Sequence, residues 1–566
     1  MLNSLASATT DFGCKPIVNV GLRLSEVARR IPDQIAVIVP QRVDAHGKRR
    51  YRKITFRQLD EDSSLLADGL MEMGVRPGTR LALLVRPGID FVSLVYALFK
   101  TGAVSVLIDP GMGRKHLVRC LQDVKPEGFV AIPLAQAVRC LLRSRFPDAR
   151  WNVTVGRRLF WGGKTIGQLR ARKLSSHFHA VNASASDPAA IIFTTGSTGP
   201  PKGVLYRHGN FNQQVDEIRD EYRIQSGEID VATFPLFALF NGAMGVTTVI
   251  PKMDPTRPAE VDPRHIIDVV NDCKATQSFG SPALWNTVSR YCEQNEIKLP
   301  SLRRILSAGA PVPTHVLRRL KSVINSNAEV FTPYGATEAL PVASISASEV
   351  LQQTGEISAL GAGICVGRRF PGIQWRVIRI TDEPIVSIRD ADPLPRGEIG
   401  ELTVRGNVVT SEYVTCCEAN SLHKISDGDG LWHRMGDVGY LDNQDRFWFC
   451  GRKAHRVQTA TGTMFTILCE AIFNTHPDVY RSALVGVGAP GKQRPVVIAE
   501  TWPECRPTSR RARQRLREDL LDVASSHRLT ENIQDVLLHP SLPVDIRHNA
   551  KISREKLSVW AAKQLR

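Results

Sequence analysis

The segment Thr194-Thr195-Gly196-Ser197-Thr198-Gly199-Pro200-Pro201-Lys202-Gly203 carries the strongest signal in this chain of 566 residues. Its glycines let backbone N–H groups turn towards an anion, its hydroxyl side chains add hydrogen-bond donors, and Lys202 adds a positive charge. The segment is not a Walker A loop, because Lys202 is followed by Gly203 rather than by serine or threonine. We therefore predict a phosphate-binding loop, formed by Thr194, Thr195, Gly196, Ser197, Thr198 and Gly199 with Lys202.

The chain before this loop alternates between helical and extended patterns. Apolar residues recur at helical spacing over Phe56–Met73, and Asp90–Thr101 is also predicted as a helix. Arg80–Val85 and Val104–Ile108 are predicted as buried strands, and Ile191–Phe193 as a strand that leads directly into the loop. Strands that alternate with helices favour a parallel sheet flanked by helices.

The pattern changes towards the C-terminus. Gly397–Arg405 and Gly439–Phe449 alternate apolar and polar residues, as antiparallel strands do. After Gly451, a strand at Ala483–Gly488, a basic helix and a tail bearing a lysine predict a small α+β domain. The predicted class is α/β, with a large N-terminal domain of packed mixed β-sheets with flanking helices and a small mobile α+β C-terminal domain. We place the large domain at 1–451, a hinge at 452–456 and the small domain at 457–566.

Composition excludes several classes of protein. Hydrophobic residues make up 43% and charged residues 23% of the chain, which is typical of globular proteins and excludes wholesale disorder and coiled coils. The longest apolar stretch, Phe91–Phe99, is much shorter than the roughly 20 residues that a membrane-spanning helix needs. The first residues lack the basic start and apolar run of a secretory signal, and the 11 cysteines include no CxxC pair. We therefore expect a cytoplasmic protein with reduced cysteines and no membrane span.

The charge is strongly positive and unevenly distributed. The formal net charge is +17, and residues 114–173 hold 14 basic and three acidic residues, a net charge of +11. A solvated surface that aids solubility is the ordinary explanation. An acidic partner protein and an anionic membrane surface are the alternatives. No nucleic-acid-binding module accompanies the charge, so we expect no nucleic-acid partner.

Five further motifs follow the phosphate loop along the chain. They are Ser307-Ala308-Gly309-Ala310-Pro311, Tyr334-Gly335-Ala336-Thr337-Glu338, Gly436-Asp437-Val438-Gly439, Gly451-Arg452-Lys453 and Asn549-Ala550-Lys551-Ile552. Together with the loop they resemble the signature motifs of the adenylate-forming enzymes, the superfamily of acyl-CoA synthetases, peptide-synthetase adenylation domains and luciferases. The resemblance covers nearly the whole chain. Its last motif departs from the family pattern, because Ala550 stands where glycine is usual.

The resemblance implies a site for ATP. Gly309, Ala310 and Pro311 would form the turn at the adenine edge, and Tyr334, next to Gly335, would stack against the base. A second set of residues would hold the sugar. Asp437 would accept hydrogen bonds from both ribose hydroxyls, because both are donors, and Arg452 would add a contact nearby.

The resemblance also implies a mechanism that uses Mg²⁺. Thr337 would contact the α-phosphate, and Glu338 would hold the metal, a hard cation that prefers oxygen. When a substrate carboxylate attacks the α-phosphorus and pyrophosphate leaves, Lys202 and Mg²⁺ would offset the repulsion between two anions. Lys551 would reach in from the small domain, and domain rotation would add or remove it between half-reactions. The predicted catalytic residues are Lys551, Lys202, Glu338 and Thr337. Taken singly, Tyr334 could be a core aromatic and Glu338 or Lys551 a solvated charge; the ordered motifs favour the site.

The acceptor of the activated acyl group is not fixed by the superfamily. In Phe234-Pro235-Leu236-Phe237-Ala238-Leu239-Phe240, Ala238 stands where acyl-CoA synthetases usually have histidine. The segment is apolar, which suits a long hydrocarbon chain and equally a core strand. At the hinge, Ala454 stands where aspartate or lysine is usual. His208, beside the phosphate loop, receives no catalytic role because a structural one explains it as well.

The run from Phe234 to Pro258, together with the hinge Gly451–Arg456, resembles one branch in particular, the olefin β-lactone synthetases of bacterial long-chain hydrocarbon biosynthesis. The resemblance implies ATP-dependent activation of a long-chain 2-alkyl-3-hydroxy fatty acid as acyl-AMP, then closure by its own hydroxyl to a β-lactone, with release of AMP and pyrophosphate. It also implies an assembly with a thiolase-like condensing enzyme and a reductase. A long-chain acyl-CoA synthetase, a fatty acyl-AMP ligase and a non-catalytic acyl-nucleotide sensor or anionic-surface binder stay open as alternatives.

Overall fold

The computed structural model describes residues 18–43, 49–194, 200–545 and 551–565. The strands in chain order are β1 Ile35–Val43, β2 Arg49–Thr55, β3 Arg80–Leu84, β4 Val104–Leu107, β5 Gly128–Ala131, β6 Trp151–Thr154, β7 Lys164–Thr165, β8 Pro188–Phe193, β9 Gly203–Arg207, β10 Ile229–Ala232, β11 Thr247–Val249, β12 Gln277–Gly280, β13 Arg304–Ser307, β14 Glu329–Phe331, β15 Tyr334–Ala336, β16 Ala339–Ser344, β17 Ile364–Arg369, β18 Gln374–Ile378, β19 Gly400–Arg405, β20 Lys424–Asp427, β21 Gly430–Leu441, β22 Arg446–Arg452, β23 Val457–Gln458, β24 Thr463–Met464, β25 Val479–Val487, β26 Arg494–Thr501 and β27 Asp535–Leu538.

The α-helices lie between these strands and after the last of them. In chain order they are α1 Gly21–Arg30, α2 Phe56–Glu72, α3 Ile89–Lys100, α4 Arg114–Val124, α5 Pro133–Leu141, α6 Ile166–Arg170, α7 His208–Glu221, α8 Phe237–Met244, α9 Pro263–Cys273, α10 Pro282–Gln294, α11 Thr314–Val323, α12 Ala347–Glu349, α13 Gly355–Ile357, α14 Ala419–His423, α15 Thr466–Phe473, α16 Arg510–Ser525 and α17 Arg554–Gln564.

The first sheet positions the phosphate loop. Its order is β7-β6-β5-β3-β4-β8-β9, and only β9 runs antiparallel to its neighbour. All four residues of β4 and of β5 are buried, as expected for parallel strands covered on both faces. The helices predicted from apolar spacing are confirmed as α2 and α3, and the predicted strands as β3, β4 and β8. The predicted phosphate loop therefore follows the carboxyl end of β8, which lies between β4 and the edge strand β9.

The second sheet has the order β14-β13-β12-β10-β11-β1-β2, parallel except for β2. β13 ends at Ser307, and the turn predicted for the adenine edge begins at Ala308. β13 is the parallel neighbour of β12. The apolar segment 234–240 is not a core strand. Residues 237–240 form the first turn of α8, in which every residue from Ala238 to Met244 is buried.

The third sheet is antiparallel, in the order β15-β16-β17-β22-β21-β19-β18, with β20 added to β21. Here two sequence predictions were wrong in detail. Gly439–Phe449 is not one strand, because it contains the end of β21, a turn at Asp445 with φ +58°, and the start of β22. The strand predicted from Gly397 begins only at Gly400, since Gly397 has φ +86°.

A small α+β unit follows β22. Its three-stranded sheet, β25-β26-β27, packs against α15 and α16 around Leu484, Val497 and Leu520. It rests on the large part of the chain through an apolar cluster in which Leu468 contacts Val438 and Cys450. The predicted α/β class, with packed mixed sheets and a smaller C-terminal unit, is confirmed. Over the described ranges, no helix is long and apolar enough to cross a bilayer.

Candidate active site

The predicted phosphate loop connects β8 and β9, which are antiparallel neighbours. At its base the Thr194 N–H donates to the Lys202 carbonyl at 3.0 Å, and the Lys202 N–H donates to Thr194 Oγ1 at 3.4 Å. The Gly203 N–H donates to Thr415 Oγ1 at 2.8 Å, which ties the hairpin to a distant segment. The predicted ligands at the tip lie outside the described residues; they are Thr195, Gly196, Ser197, Thr198 and Gly199.

Lys202 is half-buried between two aromatic side chains. Its Nζ lies 3.1 Å from His423 Nε2 and 5.0 Å from the ring centroid of Tyr413. Burial lowers the pKa of Lys202, while the negative charge of Glu338 acts in the opposite direction. Burial, helped by the charge of Lys202, lowers the pKa of His423 to about 3. His423 is therefore neutral at physiological pH and accepts a hydrogen bond from the Lys202 ammonium group.

Thr337 and Glu338 form the two-residue turn between β15 and β16, in which Ala336 pairs with Ala339. The Tyr206 hydroxyl on β9 donates to the Thr337 carbonyl at 2.6 Å, so the turn is fastened to the phosphate hairpin. A Cβ on Gly335 would lie 2.7 Å from the Ala339 carbonyl oxygen, which explains why this position needs glycine. The first sheet and the third sheet thus meet at this turn.

Tyr413 joins the two predicted phosphate-handling side chains. Its hydroxyl donates to Glu338 Oε1 at 2.8 Å, and its ring faces Lys202. Tyr413 is positioned by an isolated antiparallel bridge to Val204 on β9. The ammonium group of Lys424 donates to the Thr410 carbonyl and lies 5.6 Å from the centroid of the same ring.

Sequence analysis did not identify Tyr413, His423 and Lys424 as residues of the site. Burial lowers the pKa of Lys424 to about 8, with the charge of Glu338 opposing the shift. His423 and Lys424 stand where α14 ends and β20 begins. Neither residue belongs to a recognised motif, and Tyr413 lies in an irregular connection. The only sequence signal was weak: a tyrosine, a histidine and a lysine within a dozen residues of one another.

A second group is centred on Asp437, which is 3% exposed. The Tyr334 hydroxyl donates to Asp437 Oδ2 at 2.5 Å, and Arg452 Nη1 lies 3.0 Å from Asp437 Oδ1. Asp437 and Arg452 are direct cross-strand partners on β21 and β22. Burial raises the pKa of Asp437, whereas Arg452, Tyr334 and Lys551 act to lower it. The three predicted nucleotide-binding residues on this sheet are therefore in direct contact.

The remaining predicted residues are linked to this group to different degrees. The positive charge of Lys551 acts to lower the pKa of Asp437, which links the small unit electrostatically to this group. The Lys551 carbonyl accepts from the Asp545 N–H at 2.9 Å. Gly309, with φ +99°, forms the turn after β13 together with Ala310 and Pro311. Among described residues, no hydrogen bond links these three residues to Asp437.

An aromatic cluster lies beside the turn after β13. The rings of Phe237 and Phe279 are stacked with centroids 3.7 Å apart, and Phe234 lies 6.2 Å from Phe279. Phe279 is on β12, whose last residue pairs with Ser307 immediately before the turn. Ala238, which replaces the usual histidine, is buried in α8. The apolar segment is therefore close to the predicted adenine turn, and it offers a hydrocarbon surface without a titratable group.

His208 has a structural role. It is fully buried, with 0% exposure, and its Nδ1 accepts the Val20 N–H at 3.2 Å. Its ring packs against Phe99 at a centroid distance of 6.0 Å. Burial lowers its pKa to about 4, so the ring is neutral at physiological pH.

The donor groups fit a magnesium–nucleotide complex better than a metal ion alone. Within the described residues, no group of three or more His, Cys, Asp or Glu side chains could hold a metal ion. One carboxylate suffices for Mg²⁺ when phosphates supply further oxygens, and Glu338 is the residue predicted to provide it. Asp437 Oδ1 is buried and forms an ion pair with Arg452 but accepts no hydrogen bond in the described structure, so it retains capacity to accept from a hydroxyl donor.

Comparison with known proteins agrees with this geometry. Residues 24–414 match the family described as AMP-binding enzyme. The chain is 44% identical to an olefin β-lactone synthetase of Xanthomonas campestris pv. campestris, over 97% of this chain and 98% of that one. It is equally similar, with the same coverage, to the enzyme of that name from Stenotrophomonas maltophilia.

A solved structure supports the fold. The amide bond synthetase McbA from Marinactinospora thermotolerans superposes with a TM-score of 0.77 at 21% identity, covering 96% of this chain and all of that one. At this identity the likeness concerns the fold alone. The family match and the two relatives decide the classification: the chain belongs to the AMP-binding enzyme family, on the branch that includes the olefin β-lactone synthetases, and it is an AMP-forming ligase.

Proposed function

We propose that this protein activates a long-chain 2-alkyl-3-hydroxy fatty acid with ATP and then closes it to a β-lactone, releasing pyrophosphate and AMP. The observation that carries the proposal is the cluster in which Tyr413 bridges Lys202 and Glu338 beside the phosphate hairpin. The relatives named olefin β-lactone synthetase support the choice of product.

In this proposal ATP lies across the two groups of side chains. Its phosphates meet the loop residues 194–199 and Lys202, and Thr337 contacts the α-phosphate. Its ribose hydroxyls donate to Asp437, whose Oδ1 pairs with Arg452 and can also accept from a hydroxyl. Tyr334 now donates to the other oxygen of the same carboxylate, so ATP binding either displaces that hydrogen bond or adds to it.

The first half-reaction needs charge neutralisation. The substrate carboxylate attacks the α-phosphorus, and the bond to pyrophosphate breaks as the acyl–phosphate bond forms. Lys202 offsets the negative charge, and His423 holds its ammonium group in position through the 3.1 Å contact. Glu338 is the residue that would hold Mg²⁺, which would supply further neutralisation of the phosphates. Tyr413 keeps the Glu338 carboxylate oriented.

Lys551 joins this half-reaction from the small unit. We propose that residues 452–456 are the hinge and that 457–566 form the mobile domain. Lys453 at the hinge donates to Glu401 Oε2 at 3.1 Å, and Arg456 donates to Asp382. These contacts hold the orientation in which the charge of Lys551 acts on Asp437. Rotation of the small domain about this hinge would move Lys551 relative to Asp437.

The second half-reaction is intramolecular. The β-hydroxyl attacks the acyl carbonyl, the ester bond forms as the bond to AMP breaks, and the hydroxyl proton is lost. Tethering of the nucleophile gives a high effective concentration, which helps to overcome the strain of a four-membered ring. The Phe234, Phe237 and Phe279 cluster is suited to the alkyl chains, and Ala238 adds no competing base.

One incubation separates the proposal from its alternatives. The protein is mixed with a long-chain 3-hydroxy acid, ATP and Mg²⁺, with and without coenzyme A, and products are identified by mass spectrometry. A β-lactone formed without coenzyme A supports the proposal. A thioester that appears only with coenzyme A would instead establish an acyl-CoA synthetase, and release of acyl-AMP without further conversion an acyl-AMP ligase. Absence of AMP release would leave a nucleotide sensor.

The resemblance also leads us to propose a multi-enzyme assembly with a thiolase-like condensing enzyme and a reductase. The test is co-purification of the tagged full-length chain with the two candidate partners, each expressed alongside it. Failure of both to co-purify at low ionic strength would contradict this part of the proposal without affecting the lactone assay.

A further inference from the structure

Helix α5 and the loop after β6 expose several large apolar side chains. Leu134 is 72% exposed, Leu141 is 80% exposed and Phe160 is 75% exposed, and Val138 and Leu159 are also exposed. Single exposed apolar residues are ordinary, but an adjacent group of five is not. We call this group, residues 134, 138, 141, 159 and 160, the apolar face.

The two segments are held side by side by the first sheet. β5 and β6 are parallel neighbours, with Ala131 opposite Thr154, so α5 and the loop leave the same edge of the sheet. A Cβ on Gly156 would lie 3.4 Å from Pro133 Cγ, which places the loop against the start of α5. Within α5, positions 134, 138 and 141 form one stripe because they are spaced four and three residues apart.

Exposed arginines flank both segments of the apolar face along the chain. Arg143 and Arg145 follow α5 directly, and Arg157 and Arg158 precede Phe160 in the loop. Within the described parts of the chain, none of these four arginines forms an ion pair; Arg145 and Arg158 donate only to uncharged oxygens. The surrounding region 114–173 holds 14 basic and three acidic residues, a net charge of +11.

We propose that the apolar face docks onto the surface of an anionic phospholipid bilayer. An apolar stripe rimmed by arginines suits a membrane interface, because the apolar tips enter the acyl boundary while the guanidinium groups stay among the lipid phosphates. Each arginine near an anionic surface adds attraction that falls off within a Debye length. Neither a long apolar helix nor a buried groove is required.

The position of the apolar face relates it to the candidate active site. β6, β5, β3, β4 and β8 are consecutive parallel neighbours, so the phosphate loop leaves the same edge of the same sheet. Four strand spacings of about 4.8 Å separate the two features by roughly 19 Å along that edge. Docking would therefore bring the ATP site close to the bilayer. The further step, that the bilayer supplies the lipid acid, rests on the proposed function.

The test is flotation of the full-length chain with vesicles, in the absence of ATP and fatty acid. Vesicles of phosphatidylcholine alone are compared with equal parts of phosphatidylcholine and phosphatidylglycerol at low ionic strength. The apolar variant is Leu134→Ser/Leu141→Ser/Phe160→Ser, and the charge variant is Arg143→Glu/Arg145→Glu. Matched controls are Val386→Ser, an equally exposed apolar residue elsewhere, and Arg510→Glu/Arg511→Glu on α16.

We expect the wild type and both controls to float with anionic vesicles only, and salt to release them. Each variant of the docking surface should reduce the floated fraction about tenfold. Flotation of no protein, or equal flotation of variants and wild type, would overturn the proposal. A patch that fails to bind vesicles but captures one of the candidate partner enzymes would overturn it in favour of a protein interface. Pyrophosphate exchange is measured separately, so failure of the proposed chemistry leaves this result interpretable.

Discussion

Tyr413→Phe removes a single oxygen atom from the centre of the candidate site. The hydroxyl donates to Glu338 Oε1 at 2.8 Å, and the ring centroid lies 5.0 Å from Lys202 Nζ. Phenylalanine keeps the ring, so the cation–π contact with Lys202 remains and only the carboxylate loses its partner. The substitution therefore tests whether the orientation of Glu338 matters to catalysis.

The magnitude follows from the kind of hydrogen bond. A hydrogen bond to a charged group contributes about 1.5–3 kcal/mol. Each 1.36 kcal/mol is a factor of ten in rate, so kcat/KM should fall roughly 10- to 150-fold. Because Glu338 is the proposed magnesium ligand, the Mg²⁺ concentration that gives half-maximal activity should rise as well. ATP binding in the absence of metal should change little.

The assay is ATP–pyrophosphate exchange with a 3-hydroxy acid, measured over a range of Mg²⁺ concentrations. The matched control is Tyr222→Phe, which removes a hydroxyl that donates to Ser344 Oγ at 2.9 Å in the core. We expect the control to exchange at the wild-type rate, even if it unfolds at a lower temperature. If Tyr413→Phe matches the wild type at every Mg²⁺ concentration, the bridge to Glu338 has no part in the reaction.

Three further predictions follow from single residues. Lys551→Ala should slow pyrophosphate exchange by a factor of about 100 or more, while calorimetry still detects ATP binding. The control Lys556→Ala, on the exposed side of α17, should exchange at the wild-type rate. Equal rates for Lys551→Ala and the wild type would remove Lys551 from the mechanism. Asp437→Asn should weaken ATP binding about tenfold in the same calorimetry, because the amide offers a donor to the ribose hydroxyls, and unchanged affinity would refute that role. Burial raises the pKa of Asp230 to about 7, above its unfolded value near 4, so its contribution to stability is complete at low pH and is lost as pH rises through 7. Urea unfolding should show that the wild type loses stability between pH 5 and pH 8, and that Asp230→Asn loses roughly 3 kcal/mol less over the same range. Equal losses in the two proteins would contradict the raised pKa of Asp230.

The parts of the fold predicted from sequence are those in which one local pattern has one structural solution. Apolar spacing in Phe56–Met73 fits a helix that buries one face, and α2 forms there with a capping box at Thr55. The structure of segment 234–240 could not be assigned from sequence, because a continuous apolar run fits a buried helix and a buried strand equally. Alternation across Gly439–Phe449 hid a turn, since Asp445 adopts its left-handed conformation without a glycine.

The candidate site shows a different limit. The motifs supplied Lys202, Glu338 and Asp437 because each belongs to a recognisable short segment. His423 stands 221 residues from Lys202 in sequence, and no spacing rule joins the two. Their contact, like that of Tyr413, depends on how the connection after β19 lies against β9, which is a property of tertiary packing.

The electrostatics of the site explain why such packing is retained. Lys202, Lys424 and Arg452 lie near the carboxylates of Glu338 and Asp437, in a region where burial lowers the pKa of both lysines. Lowered lysine pKa values mean that desolvation outweighs the local negative charge. A bound triphosphate would reverse that balance, because its charge favours the protonated form of each lysine. The two lysines that destabilise the protein without a ligand are therefore the groups that favour a polyanion most strongly. The neutral His423 and the bridging Tyr413 keep the site in position until the polyanion binds.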